Sequence, residues 1–440
     1  MWFILRMSFM RFSAAPAGRL SDRTLPWVIF GERPDSPDGL EDSALAGINL
    51  AQIASTPGAP MFEPESLFGA HLAGQELGFA QEGPVVVFVH GFQHEPRRPV
   101  TARSRSDNPH RCLFHFDETP GGPGSREERK RHITPWFARA MLERGRGPVE
   151  KSTGLAVGYS YASYGGAADP FLPGWATRFA TRLGVRRRMQ PPMPYVNAYR
   201  DAETAGFGLA AVLTQLRARL DHAGLGDRGI DIVCHSLGAR TVLSALAMVA
   251  SRWPNDTTLG RIDRVLMMGG ACYLGQAAFA LANITFAAPE QRPQFYNFTS
   301  SNDDVLNFLA SRSTARSARD EAIEDLSLEW PDTRLLMGGR TIGRDGKPPH
   351  KLYEFFGAEY PDWIDIPLDS ARIRRWAKRQ GFNIRGRRRY SLGDHFVHYT
   401  HPGNWALYRS ILHDRENWTV SKLLGEIGPR RGLNAPDLSD

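Results

Sequence analysis

The chain contains a serine whose surroundings suit nucleophilic chemistry. Ser236 follows a short run, Ile230–Val233, in which three of four residues are β-branched, and this predicts a buried strand. Small residues come next at Gly238 and Ala239, before apolar residues at helical spacing: Val242, Leu243, Leu246 and Val249. A sharp strand-to-helix turn at Ser236 would expose its hydroxyl above the sheet, where the N–H groups of the helix start stabilise developing negative charge. An ordinary turn with a capping serine is the alternative.

A second stretch, residues 84–92, is an almost wholly apolar run that ends in His90-Gly91-Phe92. Continuous apolar character is typical of an interior parallel strand that is covered on both faces. We expect His90 to shape the loop that follows this strand by hydrogen bonding, and not to transfer protons.

Together the two stretches resemble the alpha/beta-hydrolase superfamily. The residues Cys-His-Ser-Leu-Gly at 234–238 are similar to its nucleophile elbow, G-x-S-x-G, with Cys234 at the first glycine, where a small residue is needed. The resemblance implies that Ser236 is the nucleophile. It also implies that the backbone N–H groups of Phe92 and Leu237 form the oxyanion hole.

The resemblance further implies an acid just after the second strand that follows the elbow. That strand is predicted at 294–299, and Asp303-Asp304-Val305 then matches the Asp-x-Val pattern often found at this place, which selects Asp303. Two alternatives stay open: Asp303 could cap a helix that begins near Val305, and Asp304 could be the acid.

The resemblance also implies that the base comes last, in a loop before the final helix. Glycine and aspartate often precede it, so Gly393-Asp394-His395 favours His395, while His398 and His401 are expected to pack or bond locally. Asp303 would then hold the tautomer of His395 and stabilise the imidazolium that forms when His395 takes the serine proton. His398 remains the alternative base.

The spacing of three residues between His395, His398 and His401 would also fit metal ligands on one face of a helix. Gly393, the intervening aromatic residues and Pro402 instead predict a loop, and neither H-E-x-x-H nor a cysteine pair accompanies the histidines. We therefore expect no metal and no cofactor.

Composition limits the class of protein. The chain has 440 residues, 42% of them hydrophobic, which is enough for a sizeable core. Its net charge of +7 is compatible with anionic partners or substrates. A basic run at 372–389 is interpreted as a solvated face; without a nucleic-acid-binding signature, no nucleic acid is expected as a partner.

Cysteine usage and hydropathy indicate where the protein acts. The three cysteines are scattered and odd in number, so no disulfide framework is predicted and a reducing, cytoplasmic location is expected. No apolar run is long enough for a transmembrane segment. The apolar start, residues 1–12, contains Arg6 and Arg11; a weak signal peptide, or a true start at Met7 or Met10, are the alternatives there.

Strands and helices alternate along the chain, which predicts an α/β fold with a mostly parallel, doubly wound sheet, the alpha/beta-hydrolase fold. Strands are predicted at 25–30, 67–79, 84–92, 155–159, 230–233, 262–268, 294–299 and 363–368. Helices are predicted at 136–142, 201–220 and 370–380, in the segment that carries Val242 to Val249, and in the segment that starts at 274.

The expected organisation is an extension at 1–24, one hydrolase domain at 25–424 and a tail at 425–440. Lid-like insertions are expected at about 93–151, 160–199 and 307–390. The first two would form a lid with an aromatic inner face that includes Tyr161, Trp175 and Phe179.

The resemblance implies a metal-independent serine hydrolase that cleaves an ester or related acyl bond of a small-molecule or lipid-like substrate through an acyl-enzyme. A thioesterase or amidase with the same triad is one alternative. A catalytically silent hydrolase fold that serves as a binding module is the other.

Overall fold

The computed structural model of the chain describes residues 8–14, 27–31, 47–49, 83–92, 94, 109–114, 134–143, 151–152, 154–161, 163, 193–222, 224–252, 257–303, 305–306, 341–346, 360–386 and 394–428. The strand predicted at 67–79 lies outside these residues, as do Asp304, Trp175 and Phe179.

A nine-stranded sheet organises the described residues, with the spatial order β11-β10-β9-β8-β4-β7-β1-β2-β3. The strands of the chain are β1 Ser8–Ala14, β2 Trp27–Gly31, β3 Gly47–Asn49, β4 Val85–Val89, β5 Leu142–Glu143, β6 Lys151–Ser152, β7 Leu155–Tyr161, β8 Ile230–His235, β9 Ile262–Met268, β10 Gln294–Thr299 and β11 Trp363–Pro367. Strands β5 and β6 pair only with each other, as a separate two-stranded sheet.

The six strands from β11 to β7 in that order are all parallel. Strand β1 continues the parallel arrangement beside β7, and β2 and β3 then add antiparallel pairs. The chain is therefore of the α/β class that the alternation of strands and helices predicts. Strand β1 falls within residues 1–24, the stretch that the sequence sets apart as an extension, and β11 within the insertion expected at 307–390.

Helices connect the strands. They are α1 Pro109–Cys112, α2 Trp136–Met141, α3 Met193–His222, α4 Gly238–Arg252, α5 Leu274–Ala287, α6 Ile342–Asp345, α7 Ala371–Arg379, α8 Val397–Thr400, α9 Pro402–His413 and α10 Val420–Ile427. Helix α3 begins earlier than its prediction at 201–220, so the end of the insertion expected at 160–199 is helical. Within the described ranges, every helix is too short or too polar to span a bilayer.

The sheet is covered on both faces, which explains the unbroken apolar sequence of β4. Every residue of β4 is fully buried, and successive side chains of a strand point to opposite faces. Val85, Val87 and Val89 belong to a core that contains residues of α3, α4 and α5. Val86 and Phe88 belong to a second core that contains residues of α2, α7, α9 and α10.

Candidate active site

Strand β8 ends in a strained turn at the predicted nucleophile. Ser236 has a φ of 54°, and it is the only non-glycine residue with positive φ among the residues described. Its N–H donates to the carbonyl oxygen of Met268 at 3.1 Å, and its carbonyl accepts from the N–H groups of Ala239 and Ala271 at 3.1 and 2.9 Å. A left-handed serine held by three backbone hydrogen bonds is the kind of strain that clusters at functional sites.

The turn requires close approach of backbones, as the glycine at 238 predicts. A β-carbon on Gly238 would lie 2.6 Å from the carbonyl oxygens of both Val89 and His90, so helix α4 starts directly against the end of β4. Cys234, at the position of the first glycine of the elbow pattern, fits as a wholly buried residue of β8 opposite Val89. Burial and then the nearby Cys272 raise the pKa of the Cys234 thiol, which therefore stays protonated beside Ser236.

His90 is fully buried, and the hydrogen bonds of its ring hold the loop that follows β4. Its Nε2 accepts the N–H of Tyr161 at 3.1 Å, so the proton lies on Nδ1, which donates to the carbonyl oxygen of Gly91 at 2.8 Å. The Ser163 hydroxyl donates to the same carbonyl at 2.7 Å. Tyr161, expected on the inner face of a lid, instead ends β7 with 1% exposure and stacks on the His90 ring at 4.7 Å. Its position in a sheet strand is the reason for this difference.

The two predicted oxyanion-hole residues follow these two turns. Leu237 is fully buried, and its N–H donates no hydrogen bond to any residue that the structure describes. Phe92 is half-buried next to Gly91, and a β-carbon on Gly91 would lie 2.6 Å from the Cβ of Ser236. The loop that carries the Phe92 N–H is thus in direct contact with the serine turn.

Asp303 precedes β11 in the sequence and His395 follows it, and the fold brings the two side chains together. The Nδ1 of His395 donates to Oδ2 of Asp303 at 2.6 Å, and both side chains are almost completely buried. Oδ1 of Asp303 accepts the N–H of Leu306 at 3.0 Å, a contact three residues ahead of the kind that a capping aspartate makes. This contact and the one to His395 coexist because they use different oxygens.

The charge on Asp303 is stabilised in this buried place. Burial alone raises the pKa of the carboxyl, but the charge and hydrogen bond of His395, followed by contact with His398, hold the pKa of Asp303 well below its usual value. The aspartate is therefore ionised at neutral pH and can stabilise a positive charge on His395.

The second ring nitrogen of His395 is available. Nε2 is buried and has no hydrogen-bond partner among the described residues, and no hydrogen bond joins it to the hydroxyl of Ser236 there. Such contacts are often long in unliganded enzymes and tighten with substrate bound.

His235 is a site residue that sequence reasoning missed. Its Nε2 donates to the backbone carbonyl of His395 at 3.3 Å, and the two ring centroids are 4.5 Å apart. The ring also lies edge-on to Trp136 and Tyr399. Burial, and then His395 and His398, lower the pKa of His235 well below its usual value, so it is a neutral donor that holds the backbone of His395 next to Ser236. Its place one residue before the serine was the available signal.

The histidine segment is mostly helical, where the sequence predicts a loop, and only His401 lies outside a helical turn, at the N-cap of α9. His395 is in a 3₁₀ turn, Asp394–Phe396, that leads into α8, and His398 is in α8 itself. The Nε2 of His398 is 3.7 Å from Oδ2 of Asp303, whereas Nδ1 of His401 accepts the N–H of Gly403 at the start of α9. No group of three or more His, Cys, Asp or Glu side chains in the described part of the chain could hold a metal ion.

No protein-family model matches the chain, and no curated protein matches it.

Proposed function

We propose that the protein is a metal-independent serine hydrolase with an alpha/beta-hydrolase fold, which cleaves an ester or related acyl bond. The observation that carries the proposal is the buried 2.6 Å hydrogen bond from His395 to Asp303, which leaves Nε2 of His395 without a hydrogen-bond partner among the residues that the structure describes. The backbone of this histidine is hydrogen-bonded by His235, the neighbour of Ser236. A nucleophile, a base and an orienting acid are thus contributed by three neighbouring segments.

The reaction follows from these positions. Nε2 of His395 takes the hydroxyl proton of Ser236 as Oγ bonds to the acyl carbon. Negative charge then develops on the acyl oxygen, where the N–H groups of Leu237 and Phe92 would donate to it. Because Asp303 is ionised, it stabilises the imidazolium, which next gives its proton to the leaving alcohol as the C–O bond breaks. Water attacks the acyl-enzyme by the same route, releasing the carboxylic acid and restoring Ser236.

Several features support this proposal over a capping serine. Left-handed geometry at a non-glycine residue is costly by roughly 1 kcal/mol or more, and a plain strand–helix connection has no need of it. A fully buried N–H at Leu237 without an acceptor among the described residues is also costly, unless a ligand oxygen completes it. Both features fall on one turn.

The substrate is proposed to be a small-molecule or lipid-like acyl compound, and the site to work without nucleic acid. Cys112, Cys234 and Cys272 are buried and none of them forms a disulfide bond, which supports a proposed cytoplasmic location.

The test is covalent labelling of Ser236 with a fluorophosphonate, mapped by mass spectrometry of the digested protein. Labelling at Ser236 that is lost in Ser236→Ala and blocked by prior denaturation would support the proposal. Comparison of ester, thioester and amide substrates would then assign the bond. A folded protein that is not labelled would contradict it in favour of a binding module.

A further inference from the structure

His398 has no role in the mechanism above, yet it lies against the same carboxylate as the proposed base. It is fully buried, and its Nε2 is 3.7 Å from Oδ2 of Asp303, the oxygen that accepts from His395. Two imidazole rings therefore converge on one carboxylate oxygen.

No competing partner satisfies the ring of His398 within the described residues. Both of its ring nitrogens are buried without a hydrogen bond there. A neutral imidazole always carries one N–H, and a buried donor without an acceptor costs about 1–3 kcal/mol. Oδ2 of Asp303 is a charged acceptor within reach of Nε2, so a closing movement of about 0.5 Å would bring the pair to ordinary hydrogen-bond distance.

The surrounding backbone is built to hold this ring in place. The carbonyl oxygen of His398 accepts from the hydroxyl of Tyr408 at 3.0 Å and from Nδ2 of Asn404 at 3.4 Å. On the opposite side, a β-carbon on Gly269 would lie 3.0 Å from Cδ2 of His398 and 3.3 Å from Oδ2 of Asp303. With φ of 55°, Gly269 leaves the space in which the ring and the carboxylate meet.

We propose that His398 is a positioning residue that donates its Nε2–H to Asp303. The site then consists of Ser236, His395, Asp303 and a second histidine that orients the aspartate. The inference rests on the proposed function. A hydrogen bond from His398 to Oδ2 would hold the Asp303 carboxylate in its orientation towards His395. It would also weaken the electrostatic attraction between this carboxylate and the imidazolium of His395. It does not touch the substrate or transfer a proton.

The test compares His398→Phe, which keeps a ring but loses the donor, with His398→Gln, which keeps an N–H donor. The rate of fluorophosphonate labelling and kcat for p-nitrophenyl acetate should fall about tenfold in His398→Phe with KM almost unchanged, by analogy with outer partners of metal-bound histidines. The acid limb of the kcat/KM profile should move to higher pH. His398→Gln should restore most of the rate and the parental profile.

The matched control is His401→Asn, three residues further on, where asparagine can still cap α9; it should leave rate and profile unchanged. The proposal would be overturned if folded His398→Phe kept its labelling rate, kcat and acid limb unchanged. It would also be overturned if folded His398→Gln lost as much labelling rate and kcat as His398→Phe.

A measurement without catalysis covers the case in which His398→Phe does not fold. In protein labelled with ¹⁵N-histidine and assigned through His398→Gln, Nε2 of His398 should carry the proton and its signal should shift in Asp303→Asn. A ring protonated at Nδ1 alone, or insensitive to Asp303→Asn, would overturn the proposal. Absence of Ser236 labelling in the unaltered protein would contradict only the proposed function. The ¹⁵N-histidine spectrum would still show whether His398 donates a hydrogen bond to Asp303.

Discussion

Gly91 and Ser236 meet so closely that a β-carbon on Gly91 would lie 2.6 Å from the Cβ of Ser236 and 2.9 Å from the carbonyl oxygen of His235. The loop after β4 and the turn after β8 therefore fix each other's positions. The proposed oxyanion donor and the proposed nucleophile depend on this contact, because Phe92 directly follows Gly91.

Gly91→Ala should separate the loop from the serine turn, since two backbone-connected atoms must move to admit the methyl group. We expect fluorophosphonate labelling of Ser236 and esterase turnover to fall by at least tenfold, because displaced oxyanion donors cost about 10²- to 10³-fold. Gly425→Ala in α10 is the control: nothing lies within 4 Å of its added β-carbon, and alanine favours a helix. Equal labelling of the two folded variants would show that the contact does not position the site.

Asp303→Asn should keep the shape of the side chain but remove its charge and change the tautomer of His395. A loss of kcat on the order of 10³- to 10⁴-fold is expected with intact folding. The control is Asp369→Asn, because Asp369 accepts hydrogen bonds from Ser301 and Asn302 on the same loop without being joined to His395. If Asp369→Asn were the inactive variant and Asp303→Asn active, the assignment of the acid would be wrong.

The neutral, buried ring of His235 makes stability fall in acid. Its folded pKa is lowered, so below about pH 6.5 the unfolded chain binds a proton that the folded protein does not, and unfolding is favoured by up to about 1.4 kcal/mol per pH unit. Half-buried His401, whose pKa burial and then Arg385 and Arg139 lower to about 4, adds to the same slope.

His235→Gln should flatten the dependence of the unfolding free energy on pH between 7 and 5 while keeping a donor towards His395. Urea unfolding at several pH values measures the slope. An unchanged slope in the variant would mean that His235 is not the proton-linked group.

Asp231 is a further proton-linked residue, near the start of β8, at the opposite end of that strand from Ser236. It is fully buried with its Oδ2 2.9 Å from Nη2 of Arg415, yet burial outweighs Arg415 and Arg264 and raises its pKa to about 6. A carboxyl with a raised folded pKa makes the folded state lose stability as pH rises from about 4 to 6.

Asp231→Asn should therefore gain stability relative to the parent between pH 4 and pH 7, by up to about 3 kcal/mol. Unfolding free energies of both proteins at the two pH values give this difference directly. If the parent gained relative to the variant instead, attraction to Arg415 would outweigh the cost of burial.

Sequence reasoning succeeded where the determinants are local. The run that forms β4 is apolar throughout because both sheet faces are covered, and Gly238 marks a turn that only a small residue allows. The bounds predicted for β9 and β10 are those observed, 262–268 and 294–299.

Contacts between distant residues were beyond sequence reasoning. His235 and His395 are 160 positions apart, and nothing local in either segment predicts that one ring donates to the other's backbone. The roles of His395 and His398 depend on which of the two rings donates to Asp303, and a spacing of three residues in the sequence is compatible with either. How the two histidines reach Asp303 depends on the pairing of β11 with β10, and this pairing is a property of the whole sheet.

The position of β11 between acid and base in the chain also bears on how the protein folds. Asp303 and His395 are 92 residues apart, and the edge strand lies within that interval. Closing so long a loop carries an entropic cost that early contacts do not offset, and contacts of large sequence separation form slowly. We therefore expect the contact between Asp303 and His395 to form only after β11 has paired at the edge of the sheet, so that a partly folded chain would hold the serine turn without its proposed base.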